Sequence, residues 1–431
     1  MPGMAGVSGP GPARGHSGEM GLTRADRDLL LRLQRQATLY FVENQVPGGL
    51  ILDRQRNRGP LQSAGWCSTS ATGMGLIALA LASAPPHRLL SAGEAAARVR
   101  AALEAAERLP EDRGVRPHFV DARTGAVVGS DARSTIDTGW LLAGALWAAE
   151  FLRDRDLEDR AARLYRRVDW SSWTAPHLPG PPGLLRHGQD RRGRFLASTW
   201  DRLNGETVLL YVLAAGADGG RAPASSPPLR PFYGEVAGRR FNNADLGLFV
   251  FQYGLDLLDL RARRAPGGVD LMAEAAVATA ANQAACRALA GPFATYRSCW
   301  GLSAGDGPGE GPQAEAYRPY GPSGPIDGTA HVTATLASVA HRPEAVLENL
   351  RAARRSGRSD PLGRYGYSNL NIDRRWVGRD LVGIDAGAVV LALDNVLMAD
   401  RAREVFHRLP CVPQGLDRLG FGCMAAVRRA S

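Results

Sequence analysis

Residues 297–306 read RSCWGLSAGD, with Trp300 beside a glycine in a loop between two long helix-like tracts. An indole next to glycine at such a junction is one way to lay an aromatic face against a sugar ring. Its plainer role is a plug in the core under a tight turn. A second kind of chemistry rests on acids: Asp137, Glu206 and Asp385 each stand just before or inside the first turn of an apolar run. Two carboxyl groups can share general acid–base work, one giving a proton while the other takes one. Acids at helix starts also serve structure, since they cap free N–H groups and complement the helix dipole. Ser134 ahead of Asp137 fits a capping box, and Asp385 fits an N-cap.

The runs that position these acids recur along the chain. Residues 70–82 are apolar on every side and predict a buried helix; similar runs lie at 138–152, 207–215, 246–258, 332–340 and 386–398. Half-buried outer helices are predicted at 157–168, 269–289, 343–353 and 401–409. Thr23 with Asp26, and Ser91 with Glu94, predict capping boxes opening two more helices. Buried and half-buried helices in alternation predict an all-α ring of helical hairpins, with an α-solenoid or an irregular bundle as alternatives. No fixed-length repeat supports a solenoid. In such a ring the inner helices run the same way, so their N-termini meet at one mouth and bring the three acids together. Residues 117–128 alternate around a central turn and predict a small hairpin. Residues 174–183, 221–231 and 305–324 are Pro/Gly-rich and predict long loops that shape a binding site. Residues 1–22 read as a disordered leader and 23–431 as one domain.

The chain has 431 residues, 45% hydrophobic and 22% charged, which suits an ordinary globular protein. Its formal charge is +9, carried by arginine alone. The densest arginine patches, 186–194 and 351–358, are short and lie in predicted loops or helix ends, so no nucleic-acid partner is expected. Five cysteines without a CxxC pair argue against a zinc ribbon and a disulfide framework. No apolar run reaches membrane-spanning length. If Met1 is the true start, the polar leader predicts a cytoplasmic protein; a misassigned start leaves a periplasmic or secreted one. His118 and His331 lack the partners of a metal site, and Asp306 with Glu310 lacks the alternating ligands of a calcium loop.

Several motifs in order carry a family resemblance over residues 41–421. They include GLILDRQ from 49, SATGMGLIAL from 70, HFVDARTGAVV from 118, STIDTGWLLAGAL from 134 and NGETVLLYVLAAGAD from 204. RSCWGLSAGDGP, GTAHVTATL, GRYGYSNLN and GIDAGAVVLALDN follow from 297, 328, 363 and 383. Together they resemble the glucoamylase-like glycosidases, which include bacterial endo-β-1,2-glucanases and a module of cyclic β-1,2-glucan synthases. The resemblance implies an (α/α)6 barrel with a glucan cleft at one mouth, no metal or other cofactor, and a monomer acting on an oligo- or polysaccharide.

It also implies that Glu206 is the general acid, Asp385 the base of an inverting hydrolysis, and Asp137 a further cleft carboxylate. Arg54, Trp66, Trp200, Trp300, Asp306, Tyr365, Tyr367, Asn369 and Trp376 lie in or beside the matching motifs and are the expected substrate contacts. Trp140, inside an apolar helix, is expected in the core. Ser134 stands where relatives carry another acid, and Gln252 where many have histidine. Those departures keep open a transglycosylase, another linkage, or a non-catalytic glucan-binding barrel; a purely structural toroid is the remaining alternative. A helix N-terminus favours the ionised carboxyl, which suits Asp385. For Glu206 to hold a proton, burial or a second charge from Asp137 or Asp201 must win.

Overall fold

In chain order the helices are α1 (Arg24–Glu43), α2 (Thr69–Leu81), α3 (Ala92–Arg108), α4 (Thr135–Leu152), α5 (Arg155–Arg166), α6 (Gly205–Ala215), α7 (Leu271–Ala288), α8 (Val332–Ala337), α9 (Pro343–Arg355), α10 (Gly383–Leu397), α11 (Arg401–His407) and α12 (Cys411–Arg418). They come from a computed structural model that describes residues 21–62, 64–174, 183–223, 227–311, 314–355 and 360–423. The predicted leader falls almost wholly outside these residues, as does most of the 174–183 loop.

Composition decides which layer each helix takes. Every residue of α2 is buried, because Ala, Gly and Leu surround its whole circumference. In α5 only Leu157, Ala161 and Leu164 are buried, one stripe at helical spacing with arginines and acids around it. The inner segments contact one another in sequence: α2 with α4, α4 with α6, α6 with the 3-10 turn Leu248–Phe251, that turn with α8, α8 with α10, and α10 with α2. Outer helices back them, α1 against α10 and α2, α3 and α5 against α4, α9 against α8, and α12 against α6. The fold is thus mostly helical, and one hydrophobic cluster runs from Leu30 to Phe421. The tightest crossing joins α2 to α4, where a Cβ on Gly73 would strike the Trp140 backbone and one on Gly144 the Gly73 backbone. Two glycines therefore set the depth of the helix that carries Asp137 and Trp140.

Several local expectations are met. Ser91 and Glu94 complete a reciprocal capping box. The 117–128 hairpin forms by pairing Phe119–Asp121 with Val127–Val128, and Trp66–Ser68 adds a third strand.

Others are corrected. Thr23 caps α1, its Oγ1 accepting from Asp26 N and donating to the Asp26 carboxylate, which Arg351 also engages. The 246–258 run is not an α-helix: after one 3-10 turn it breaks at Gly254, whose φ of +82° suits glycine. The 332–340 run yields only the short α8, Val332–Ala337. Within 305–324, expected as a loop, Ala304–Pro308 pairs with Glu315–Pro319; prolines sit at strand ends, where a missing N–H is tolerated.

Candidate active site

Glu206 is the second residue of α6, and the helix start is capped without it: Asn204 Oδ1 accepts from Thr207 N at 2.9 Å. The Glu206 carboxylate instead receives the Trp140 indole N–H, Nε1 to Oε1 3.4 Å. A Cβ on Gly205 would collide with the Tyr253 and Leu255 backbone, so this glycine lets the head of α6 press onto the Tyr253 turn. Burial pushes the Glu206 pKa up to about 7; the Trp140 bond opposes this and the Asp137 charge adds to it. Of the two expected neighbours, Asp137 is the one that acts on Glu206. The charge of Asp201 acts on His187.

Asp385 is the third residue of α10, whose N-cap is Val382, so the expected N-cap role is corrected. Its Oδ1 accepts the Tyr253 hydroxyl at 3.2 Å. Burial pushes its pKa up to about 7, the Tyr253 bond and Arg54 pull it down, and Asp306 and Asp53 push it up. The expected lowering by the helix N-terminus is therefore overturned, because desolvation of a charge outweighs a dipole that is worth under a kcal/mol or so.

Asp137 lies in the first turn of α4, where the Ser134 hydroxyl donates to its carboxylate and accepts its backbone N–H. The Ser134 N–H goes to Arg116 O at 2.9 Å, which leaves the capping box open. His118 Nε2 stands 3.5 Å from Asp137 Oδ1.

These acids share one neighbourhood. The Tyr253 phenol feels the charges of both Asp385 and Glu206. The Tyr317 phenol, half exposed on the Glu315–Pro319 strand, feels Asp385, Asp306, Asp53 and Glu206. Acids nearly 180 residues apart in the chain therefore lie near the same two phenols.

The expected binding residues divide by exposure. Trp66 is 50% exposed and leans on Phe119, with ring centroids 5.8 Å apart. Arg54 is partly exposed and donates to Asp306 Oδ2 at 3.0 Å, so Asp306, itself buried, holds the guanidinium in place. The Trp200 ring stacks on His187 at 3.9 Å and its N–H reaches Thr135 Oγ1 at the head of α4. Trp376 is half-buried in the hairpin of Leu370–Asn371 with Trp376–Val377. Asn369 Nδ2 donates to Asp306 O at 3.2 Å.

Trp300, Tyr365 and Tyr367 are corrected: at 3%, 1% and 2% exposure they are core side chains with no ring face for a ligand. Gln252 is also buried, donating to Ala334 O and Ser338 Oγ, so that departure from the family pattern anchors α8 instead of altering a pocket. Asp53, Tyr253 and Tyr317 were missed by sequence reasoning. Asp53 stood in the quoted GLILDRQ motif, whereas Tyr253 hides in an apolar run and Tyr317 in a Pro-rich stretch. Among the described residues, no group of three His, Cys, Asp or Glu side chains is placed to hold a metal ion.

Residues 198–410 match the Glycoamylase model, a glucoamylase family. Just under half of the chain is thus similar to a glucoamylase family. The chain is 23% identical over 438 aligned positions to an exo β-1,2-glucooligosaccharide sophorohydrolase (non-reducing end) of Parabacteroides distasonis. That alignment covers 91% of this chain but 58% of the relative, so the chain spans little more than half its length. An endo-β-1,2-glucanase of Chitinophaga pinensis, solved with sophorotriose and glucose, superposes with a TM-score of 0.79 at 18% identity, covering 92% of this chain and 98% of that one. A β-1,2-glucanase from Parabacteroides distasonis gives 0.78 at 20% identity, covering 91% and 60%. At these identities the likeness establishes a shared fold.

Proposed function

We propose that this chain is a glycoside hydrolase of β-linked glucan, β-1,2-glucan first, working as a single (α/α)6 barrel over residues 23–431. One observation carries the reading: Glu206 and Asp385, half-buried at the heads of two inner helices, both have pKa values pushed up to about 7 by desolvation and lie near a shared phenol, Tyr253. A carboxyl with a raised pKa can protonate a leaving glycosidic oxygen, and a second, ionised one can take a proton from water. Glu206 is the donor, since burial and the Asp137 charge keep it protonated. Asp385 is the base; the Tyr253 hydroxyl and Arg54 favour its ionised form. Proton transfer to the bridging oxygen, attack of water on the anomeric carbon from the opposite face, and proton loss to Asp385 complete an inverting hydrolysis. Trp66 and Arg54 supply an exposed aromatic face and hydroxyl-binding donors.

The β-1,2-linkage is supported by the relatives' names, one an exo-acting sophorohydrolase and one an endo-β-1,2-glucanase. The test is incubation of the protein with linear β-1,2-glucan and a panel of other glucans, following product anomers by NMR. The expected result is an α-anomer first product from β-1,2-glucan, with activity down about a thousandfold in Glu206→Gln. Equal activity in that variant would remove Glu206 from the donor role.

A further inference from the structure

Among the described residues, no cation is hydrogen-bonded to Glu206 or Asp385. Each meets one neutral aromatic donor: Trp140 Nε1 lies 3.4 Å from Glu206, and Tyr253 Oη lies 3.2 Å from Asp385. The two donors also touch each other, edge to face, with ring centroids 5.9 Å apart at 83°. Trp140 is set by the Gly73–Gly144 crossing, and Tyr253 by the Gly205–Gly254 approach; both rings are buried. We infer that the Trp140–Tyr253 pair is a positioning clamp that fixes Glu206 and Asp385 relative to each other and sets which of them carries the proton. Edge-to-face rings resist sliding. A shift of α4 against the Tyr253 turn therefore moves both donors at once.

The clamp acts on proton affinity through its two hydrogen bonds, each of which favours the ionised carboxyl. Asp385 also faces Asp306, Asp53 and Arg54, Glu206 faces Asp137 and, through it, His118, and Tyr317 faces both. None of those groups is touched when only the Tyr253 hydroxyl is removed. The Tyr253→Phe variant keeps the ring contact with Trp140 and loses the bond to Asp385. A bond to a charged group is worth enough to move Asp385 upward by roughly one to two pH units. Trp140→Phe removes the bond to Glu206 and moves that carboxyl upward in the same way.

This inference rests on the hydrolase reading for its consequence, but not for its test. Carboxyl-13C NMR titration of Asp- and Glu-labelled protein reads both groups without turnover, with circular dichroism and thermal melts establishing that each variant is folded. The expected result is selective movement, Asp385 in Tyr253→Phe and Glu206 in Trp140→Phe, each by a unit or more. In turnover assays the same variants shift the ascending and descending limbs of the kcat/KM profile respectively, with little change in KM. Unmoved titrations in folded variants would overturn the clamp. Moved titrations in a protein that cleaves no glucan would overturn the hydrolase reading and leave the clamp standing.

Discussion

Helix α10 carries two desolvated carboxylates, Asp394 fully buried and Asp385 half-buried, and its two ends treat them differently. Near the C-terminal end, Asp394 is fully buried and receives two bonds from the Arg401 guanidinium and a third from Gln34 Nε2 at 3.3 Å. At the head of the same helix, Asp385 accepts from the neutral phenol of Tyr253 and, among the described residues, has no guanidinium hydrogen-bonded to it. Burial raises the pKa of both. A structural carboxylate in a low-dielectric interior is held as part of an ion pair. A carboxylate that must gain and lose a proton is left with a partner tolerant of either state. Glu206 follows the second pattern, with an indole as its partner.

The sharpest way to break this comparison is to exchange the outcomes. Asp385→Asn is expected to cut hydrolysis at least a hundredfold, with a melting temperature at or above wild type, because a partly desolvated carboxylate has gone. Asp394→Ala is expected to do the reverse. It strands Arg401 and lowers stability by about 2–3 kcal/mol, less than for a fully buried pair because Arg401 keeps some contact with water. The turnover of its folded fraction should stay within about twofold of wild type. Denaturant unfolding together with glucan hydrolysis checks both; loss of activity in both variants alike would dissolve the distinction.

A linkage measurement follows. Glu206 titrates at about 7 when folded against an ordinary 4.5, so the native state binds the extra proton. Stability from this group is full below its unfolded pKa and is lost as pH rises from about 4.5 to 7. Glu206→Gln has nothing to lose there. Its stability advantage over wild type should grow between pH 5 and 8, towards about 2–3 kcal/mol. A constant difference across that range would show that burial does not raise this carboxyl. In turnover, two groups near 7 with opposite required states give a narrow bell centred near neutrality.

The smallest effect separates exposed from buried aromatics. Trp66→Ala should raise KM roughly threefold to tenfold with little change in melting temperature. Trp300→Phe should lower the melting temperature and leave KM alone, since Trp300 is 3% exposed and Trp66 50%. An unmoved KM in Trp66→Ala would take that ring out of the binding surface.

Much of the fold was legible because it is local. The wholly apolar circumference of residues 70–82 marked an inner helix, the three-residue stripe of α5 an outer one, and Ser91 with Glu94 a helix start. Positions in first turns were legible for Asp137, Glu206 and Asp385 for the same reason. Residues 246–258 misled because their apolar pattern satisfies a helix, while the left-handed turn at Gly254 is demanded by a neighbour, the head of α6. Trp300, Tyr365 and Tyr367 misled because an aromatic in a Gly-rich motif reads alike whether its ring faces the core or the mouth.

By itself, then, the sequence determined most of the helical segments, which sides they bury, and that the three acids stand at helix starts. These follow from periodicity and capping, interactions that span a turn or two. Tertiary structure alone decided that burial overrides the helix dipole at Asp385, that Tyr253 and Tyr317 stand between distant acids, and that Arg54 is held by Asp306. Desolvation and Coulomb terms depend on distances through space, and those exist only once the inner segments have closed on one another.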